Sequence, residues 1–319
     1  HGPNHNILEK VKNARGGFLV SLRDHGKWGD ARGMQFDYEI MDYAPNGSLA
    51  DMTLRGSETR FKEVAMRMAF AIRQCHELGF IHRDIKPENF LFTGPERKEF
   101  VVIDFGIARE ISGDNPVKVD AAKSSYFVSP EGAISSNDRN TYVGRATDYY
   151  SMGMTLLALW MGVDNFYKMF PANDLAELDR LKRNNNVIGK LRSKLNISDH
   201  LASLLERLLE FSDGSRAGFD DVQRWFKGET LKTGSAAEAE HATGDFHVVF
   251  NDVKKQVARS PKELAALMLG DVEFAKKFLY KGLAKSALQG IRPTLAIEID
   301  DIVNVKYPRP EEQGGGVYA

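Results

Sequence analysis

Apolar positions along the chain fall into two rhythms. From Phe61 to Leu78, the residues Phe61, Ala65, Met68, Ile72 and Cys75 recur at intervals of three or four, which predicts a helix with one buried stripe, ended by Gly79. A denser apolar segment, Leu156, Leu157, Leu159 and Trp160, predicts a second helix after the Asp148 region, and further helices are expected near Asp174–Arg183 and Asp199–Glu210. Phe18-Leu19-Val20-Ser21-Leu22 and Tyr38-Glu39-Ile40-Met41 read as two strands, separated by the Gly- and charge-rich stretch from Asp24 to Gly33. Pro45-Asn46-Gly47-Ser48 is by itself a plain turn sequence, and Phe80-Ile81 leads out of the first helix.

The pattern changes at Gly228. Residues 228–245 are rich in Gly, Ala, Ser, Thr and Glu and read as a linker. Phe246-His247-Val248-Val249-Phe250 is expected as a short strand or docking segment. Ser260-Pro261-Lys262-Glu263 then offers an N-cap, a proline at the first helical position and an acidic residue completing a capping box, with Leu264, Leu267 and Met268 continuing inward. Another helix is expected from Val272 to Leu288, with Phe274, Phe278 and Leu279 on its apolar side, and one more from Leu295 to Val303. Gly270, Gly282 and Gly290 punctuate this set, so residues 246–319 read as a small, mainly helical accessory domain.

Composition narrows the function classes. With 319 residues and 42% hydrophobic content, the chain can bury a full core and carry a second small domain. Lys and Arg number 43 against 44 Asp and Glu, a balance that offers no global field for nucleic acid. The tail from Leu231 onward is equally balanced, with twelve acidic and twelve basic residues, and does not read as a nucleic-acid module. The single cysteine, Cys75, excludes an internal disulfide and falls on the apolar stripe, as a core residue would. No apolar run suits a membrane span and the first residues do not form a secretion signal, so a cytoplasmic protein is expected, although an effector secreted by another route would look the same.

The chemistry is concentrated in His82-Arg83-Asp84-Ile85-Lys86-Pro87-Glu88-Asn89, followed fifteen residues after Asn89 by Asp104-Phe105-Gly106 and then by Ser129-Pro130-Glu131. In this order and spacing the three motifs resemble the catalytic half of a eukaryotic-type protein kinase of the Ser/Thr class. The resemblance implies an α+β, protein kinase-like fold with a mostly helical large lobe over residues 47–227. Residues 1–46 would then be a remnant of the small-lobe sheet and the hinge, with His5-Asn6-Ile7-Leu8 as the turn between the small-lobe helix and its next strand. It also implies ATP and Mg2+. Asp84 would be the catalytic base or the residue positioning the substrate hydroxyl, Lys86 would neutralise charge on the transferred group, and Asn89 and Asp104 would be the metal ligands. Met41 would stand behind adenine, the backbone of Asp42 and Ala44 would bond it, and Ser48 and Leu91 would complete the nucleotide surface. His82 and Phe105 resemble members of an internal hydrophobic spine, Asp148 the aspartate that anchors the catalytic-loop backbone, and Glu131 and Arg216 a buried structural pair.

Within that resemblance Ser124 matches the hydroxyl residue that bonds the base and the lysine in Ser/Thr kinases, and Lys86 points to the same substrate class. Ser129 and Lys123 depart from the usual alanine and glycine, which leaves the substrate platform less defined than the metal ligands. Between Asp114 and Lys123 no hydroxyl residue is present, and Asp120 is either a partial substitute for a phosphate near Arg83 or an exposed loop aspartate. The glycine-rich loop, strand lysine and helix glutamate expected upstream of these motifs are absent from the sequence. Lys10 and Lys12 fall after the small-lobe helix, and Gly16-Gly17 reads as a turn. Three origins fit: a fragment of a longer polypeptide, a lobe lying outside the numbered residues, or a split or degenerate kinase, of which degeneracy sits worst with the intact catalytic residues. The expected function is phosphorylation of protein substrates by the full-length parent, with this stretch weak alone. The alternative is a non-catalytic scaffold whose C-terminal helical region binds a partner protein.

Overall fold

The helix Arg145–Met161 is apolar on nearly every side, and every residue from Thr147 to Trp160 is buried. A helix of that kind must lie inside the domain, and the other elements are arranged round it. The structure is a computed structural model that describes residues 4–30, 32–112, 116–120, 126–133, 140–172, 175–183, 186–231, 248–251, 254, 256–280, 283–284, 288, 299 and 303.

In chain order the described elements are α1 (His5–Lys12), β1 (Leu22–Gly29), β2 (Gln35–Met41), α2 (Glu58–Glu77), β3 (Phe80–Ile81), β4 (Phe90–Phe92), β5 (Phe100–Val102), β6 (Arg109–Glu110), β7 (Val117–Asp120) and β8 (Asn140–Val143). They continue with the central helix α3 (Arg145–Met161), α4 (Val163–Met169), α5 (Ala176–Arg183), α6 (Val187–Leu195), α7 (Asp199–Leu208) and α8 (Phe219–Phe226). The C-terminal part adds β9 (Val248–Asn251), β10 (Gln256–Ala258), α9 (Pro261–Gly270) and α10 (Val272–Tyr280). The described strands form antiparallel pairs, β1–β2, β3–β6, β4–β5, β7–β8 and β9–β10. Helices dominate and the sheets are short, an α+β architecture.

The amphipathic stripe of α2 packs as its spacing predicts. Phe61, Ala65, Met68, Ile72 and Cys75 are all fully buried, and Ser57 caps the helix by accepting the Arg60 N–H at 3.3 Å. Gly79, at φ +81°, turns the chain into β3. At the far end of α2, Phe61 meets the rings of Trp160 on α3 and Trp225 on α8 edge to face, at 5.8 and 6.1 Å. α3 and α7 approach closely at Gly153, where an added Cβ would lie 2.8 Å from Leu208 Cβ.

Several expectations need correction. His5–Leu8, expected as a turn, lies in α1. Asn4 caps that helix, and Ile7, Leu8 and Val11 bury one stripe of it, so burial outweighs the local turn signal. Lys10 and Lys12 lie in α1 too, paired with Glu110 and Asp24 at 2.9 and 3.2 Å. The strand expected over Phe18–Leu22 begins instead at Leu22 and runs through Gly29, taking in most of the stretch expected as a connection. The turn is confined to Asp30–Gly33, where the Asp30 carboxylate accepts the Arg32 and Met34 N–H groups, each at 2.9 Å, and Gly33 adopts φ +80°. Phe18 and Val20 bond instead to the backbone of Val102 on β5, at 2.9 and 3.0 Å.

The first residues of the stretch expected as a linker pack on the main domain. Leu231 is buried in the main core and its N–H reaches Ser203 Oγ at 3.3 Å, while residues 232–245 lie outside the described residues. The strand expected over residues 246–250 is present at Val248–Asn251; its partner Gln256–Ala258 was not anticipated, and both contribute to a second core with Leu264, Phe278 and Leu279. The Ser260 cap forms, accepting the Glu263 N–H at 3.1 Å, but the Glu263 carboxylate accepts from Arg259 rather than Ser260. α10 is described as far as Tyr280 of the expected Val272–Leu288 span. Phe246, His247, Gly282, Gly290 and most of Leu295–Val303 lie outside the described residues.

Candidate active site

The catalytic-loop motif occupies the segment between β3 and β4, and its backbone is held from below by α3. Asp148, fully buried, accepts the N–H of His82 at 2.9 Å and of Arg83 at 2.8 Å, and His76 Nε2 donates to it at 2.8 Å. Burial alone would raise the Asp148 carboxyl. The hydrogen bond and charge of His76, with His82 and the Arg83 amide, outweigh it, and the net pKa lies below the usual carboxylate range. Thr155, two turns further along α3, donates its hydroxyl to the Ser151 carbonyl at 2.8 Å, and the same Oγ1 lies 3.4 Å from the Ile85 carbonyl. A loop whose amides are satisfied by a buried carboxylate has little freedom left.

Three of the sequence-predicted residues then converge on one oxygen. Asp84 Oδ2 accepts Lys86 Nζ at 2.6 Å and Asn89 Nδ2 at 2.9 Å, and the same Asn89 amide nitrogen donates to the Asp84 carbonyl at 2.7 Å. Turning the Asn89 nitrogen toward Asp84 leaves its amide oxygen as the acceptor facing away. Asp104 is joined to this group through the preceding residue: Ile103 donates its N–H to the Asn89 carbonyl at 2.9 Å, and its own carbonyl accepts His82 Nε2, also at 2.9 Å. Asp104 itself sits at φ +66°, with one carboxylate oxygen 3.2 Å from the Gly106 N–H. His82 and Phe105 are buried with ring centroids 5.3 Å apart, and Phe80 meets Phe105 at 5.8 Å, so the expected apolar spine members touch. Burial pushes the His82 imidazolium down, favouring the neutral ring.

Fit to a magnesium ion follows from the donor set. The Asn89 amide oxygen and the Asp104 carboxylate are the hard oxygen ligands such an ion takes, supplemented by phosphate oxygens and water. Among the described residues no cluster of three or more His, Cys, Asp or Glu side chains could hold a metal ion.

The expected nucleotide surface lies on β2, the segment after it, and β4. Met41 closes β2 opposite Leu22, the Asp42 N–H is taken by the Ser21 carbonyl at 3.0 Å, and its carboxylate pairs with Arg23 at 2.6 and 2.9 Å. The Ala44 amide makes no backbone hydrogen bond among the described residues. Ser48 bridges Leu91 and also caps a short helical turn, accepting the Ala50 N–H while Asp51 accepts its own. Ser124 and Lys123 lie outside the described residues. Arg83 donates to the carbonyl of Asp120, at 3.0 Å, and to that of Ile107.

Four residues of the site region were not anticipated. His76 gave no sequence signal beyond its place in the last turn of α2. Thr155 lies in an apolar run that gives it no signal of its own. Glu39 is half-buried on β2, and burial together with the Asp104 charge raises its carboxyl. Lys182 was detectable, because it falls four residues after Leu178 on the apolar side of α5, where a lysine does not belong. The pair that was anticipated, Glu131 and Arg216, is fully formed, with two bonds of 2.7 and 3.0 Å and Thr147 donating to the same carboxylate at 3.0 Å.

Residues 32–226 match the family model described as protein kinase domain, more than half of the chain. The chain belongs to the protein kinase family. Its similar proteins include serine/threonine-protein kinase ppk34 of Schizosaccharomyces pombe, 31% identical over 195 residues that make up 58% of this chain and 50% of the relative. Serine/threonine-protein kinase PEPKR2 of Arabidopsis thaliana is 30% identical over 207 residues, 61% of this chain and 40% of the relative. Calcium-dependent protein kinase 2 of the same plant is 36% identical over 132 residues, 40% and 19%. The chain thus spans half or less of the length of these curated relatives. The kinase domain accounts for α2–α8 and the site between them. No helix among the described residues is long and apolar enough to cross a membrane.

Proposed function

We propose that the full-length parent transfers the terminal phosphoryl group of Mg-ATP to serine or threonine hydroxyls of protein substrates. The observation that carries this reading is the convergence of Lys86 and Asn89 on Asp84 Oδ2, which orients the carboxylate and leaves its second oxygen for an incoming hydroxyl. Asp84 would accept the hydroxyl proton or hold the hydroxyl in line. Lys86 would lie beside the acceptor, where charge accumulates on the transferred group. Asn89 and Asp104 would hold magnesium, which when bound neutralises phosphate charge. Ser124 would complete the acceptor side, and Met41, Asp42, Ala44, Ser48 and Leu91 would seat the nucleoside. The Ser/Thr class is supported by Lys86 and by the names of the relatives.

Residues 1–319 alone are proposed to be weak, because no glycine-rich loop or strand lysine stands ahead of the catalytic motif within them, and poor alignment alone costs about a hundredfold in rate. The C-terminal region has its own apolar core and is proposed to serve partner binding. The test is radiolabel transfer to a protein substrate by the full-length protein and by Asp84→Ala. Transfer lost in the variant supports the reading, and equal background in both removes it.

A further inference from the structure

Lys182 is only 4% exposed, although it is a lysine. Its ammonium donates to the Val128 carbonyl at 2.9 Å and lies 5.9 Å from the centroid of the Tyr150 ring, with Asp179 of the same helix as counter-charge. Val128 opens a short bend. Within it Ser129 Oγ accepts the Gly132 N–H at 3.3 Å, and Glu131 is gripped by Arg216. The Arg216 guanidinium lies 4.9 Å from the centroid of the same Tyr150 ring. One buried cation therefore holds the start of the bend and another its end, both seated against a single aromatic side chain of α3.

Placing an ammonium in an apolar interior is costly unless its hydrogen bonds are made. Val128 sits in an irregular segment, where a carbonyl has no ladder partner to rely on. Lys182 supplies the donor from α5, an element that contributes nothing to the Asp84 group. The bend is thereby tied to the large-lobe helices separately from the catalytic loop.

We infer that Lys182 is a positioning residue for the acceptor polypeptide: by fixing the Val128 carbonyl it sets the path of Val128–Glu131, the surface on which residues flanking the phosphorylated hydroxyl lie. The inference rests on the phosphotransfer reading, but the Lys182–Val128 contact can be followed without it. Lys182 touches no reacting group, so its effect falls on peptide binding and not on nucleotide binding.

The test uses Lys182→Met, which keeps the length of the side chain and removes the donor, and Lys182→Arg, which keeps the charge. Amide hydrogen exchange of the chain should rise about tenfold across residues 126–133, the amount that loss of one charge-assisted bond confers, with α2 and α3 unchanged. In the full-length protein, peptide KM should rise about tenfold while ATP KM stays constant, and Lys182→Arg should recover part of both effects. Unchanged exchange in the bend, a fall in protection throughout the domain, or parallel changes in the two KM values would each overturn the inference. Absence of transfer by the unaltered full-length protein would overturn the phosphotransfer reading and with it the assignment of the bend to a peptide. The exchange pattern would then report separately on whether Lys182 holds Val128.

Discussion

Asp148 accepts the backbone N–H of Arg83 at 2.8 Å, and Arg83 is held at φ +70°. A left-handed conformation costs a non-glycine residue about 1–2 kcal/mol, so the bend before Asp84 needs an external hold. The buried carboxylate provides it, and its second oxygen takes His82 and His76. The helix α3 thus imposes the shape of a loop far from it in sequence.

Asp148→Asn should be strongly destabilising. An amide has one oxygen where the carboxylate has two, and its NH2 would face donors that have no other acceptor. Leaving a buried donor unsatisfied costs about 1–3 kcal/mol, more where charge is involved. Urea unfolding should show a loss of about 3 kcal/mol, and a loss well under ~1 kcal/mol would mean that the loop amides find other acceptors.

Glu131 and Arg216 should make the domain acid-sensitive. Burial works against the Glu131 charge, but the Arg216 charge and hydrogen bonds outweigh it, and its pKa lies below the usual glutamate value. A carboxyl lowered in the fold contributes stability that is fully present above its unfolded pKa and is lost as pH falls through the folded one. Stability measured from neutral pH downward should therefore fall below about pH 4.5, and less steeply in Glu131→Gln. Arg216→Ala, which strands the carboxylate, should cost about 3–5 kcal/mol near neutrality. An unaltered acid limb in Glu131→Gln would contradict the account.

Gly153→Ala tests the approach of α3 to α7. The added Cβ would meet Leu208 Cβ at 2.8 Å and Leu209 Cδ2 at 2.9 Å, distances that force the helices apart. Overpacking of this kind costs about 1–3 kcal/mol. Gly17→Ala, where nothing lies within 4 Å, is the control and should leave the thermal midpoint nearly unchanged.

Lys182 should give the fold an alkaline signature. Burial, opposed by Asp179, pushes its ammonium down to about 8 from 10.5. Below the folded value the buried charge is a standing penalty. Between about pH 8 and 10.5 the native state sheds a proton that the unfolded chain keeps, so this residue makes stability rise with pH. The difference between the intact chain and Lys182→Met should shift in favour of the intact chain over that window, by at most about 3 kcal/mol. A constant difference would show that the amine is not buried as a charge.

Much of the active site was legible because its chemistry is local. Asp84, Lys86 and Asn89 lie within one short loop, and their meeting follows from spacing that any folded form of the motif preserves. The long helices were legible for a related reason: α2 and α3 repeat apolar residues over several turns, enough for periodicity to dominate any single residue. Shorter elements were legible in part: Ala176–Arg183 and Asp199–Leu208 fall within expected helical spans, while Val163–Met169 and Val187–Leu195 were not expected. Val163–Met169 has only Val163 and Phe166 as its buried apolar positions, and the helical spacing of Ile188, Leu191 and Leu195 in Val187–Leu195 spans too few turns to stand out, so both helices fold where α3 and its neighbours cover them.

By itself the sequence determined the family, the gathering of Asp84, Lys86 and Asn89 in one loop, and, through the family resemblance, the Glu131–Arg216 pair. Tertiary structure decided what depends on partners distant along the chain. It made His5–Lys12 a helix by burying Ile7, Leu8 and Val11, drew Asp24–Gly29 into a strand through pairing with β2, and kept Leu231 against the main core. It also gave His76 and Lys182 their tasks, since each acts through a hydrogen bond to a residue 72 or 54 positions away. A hydrogen bond needs two groups within about 3 Å, and only the folded chain brings those groups together.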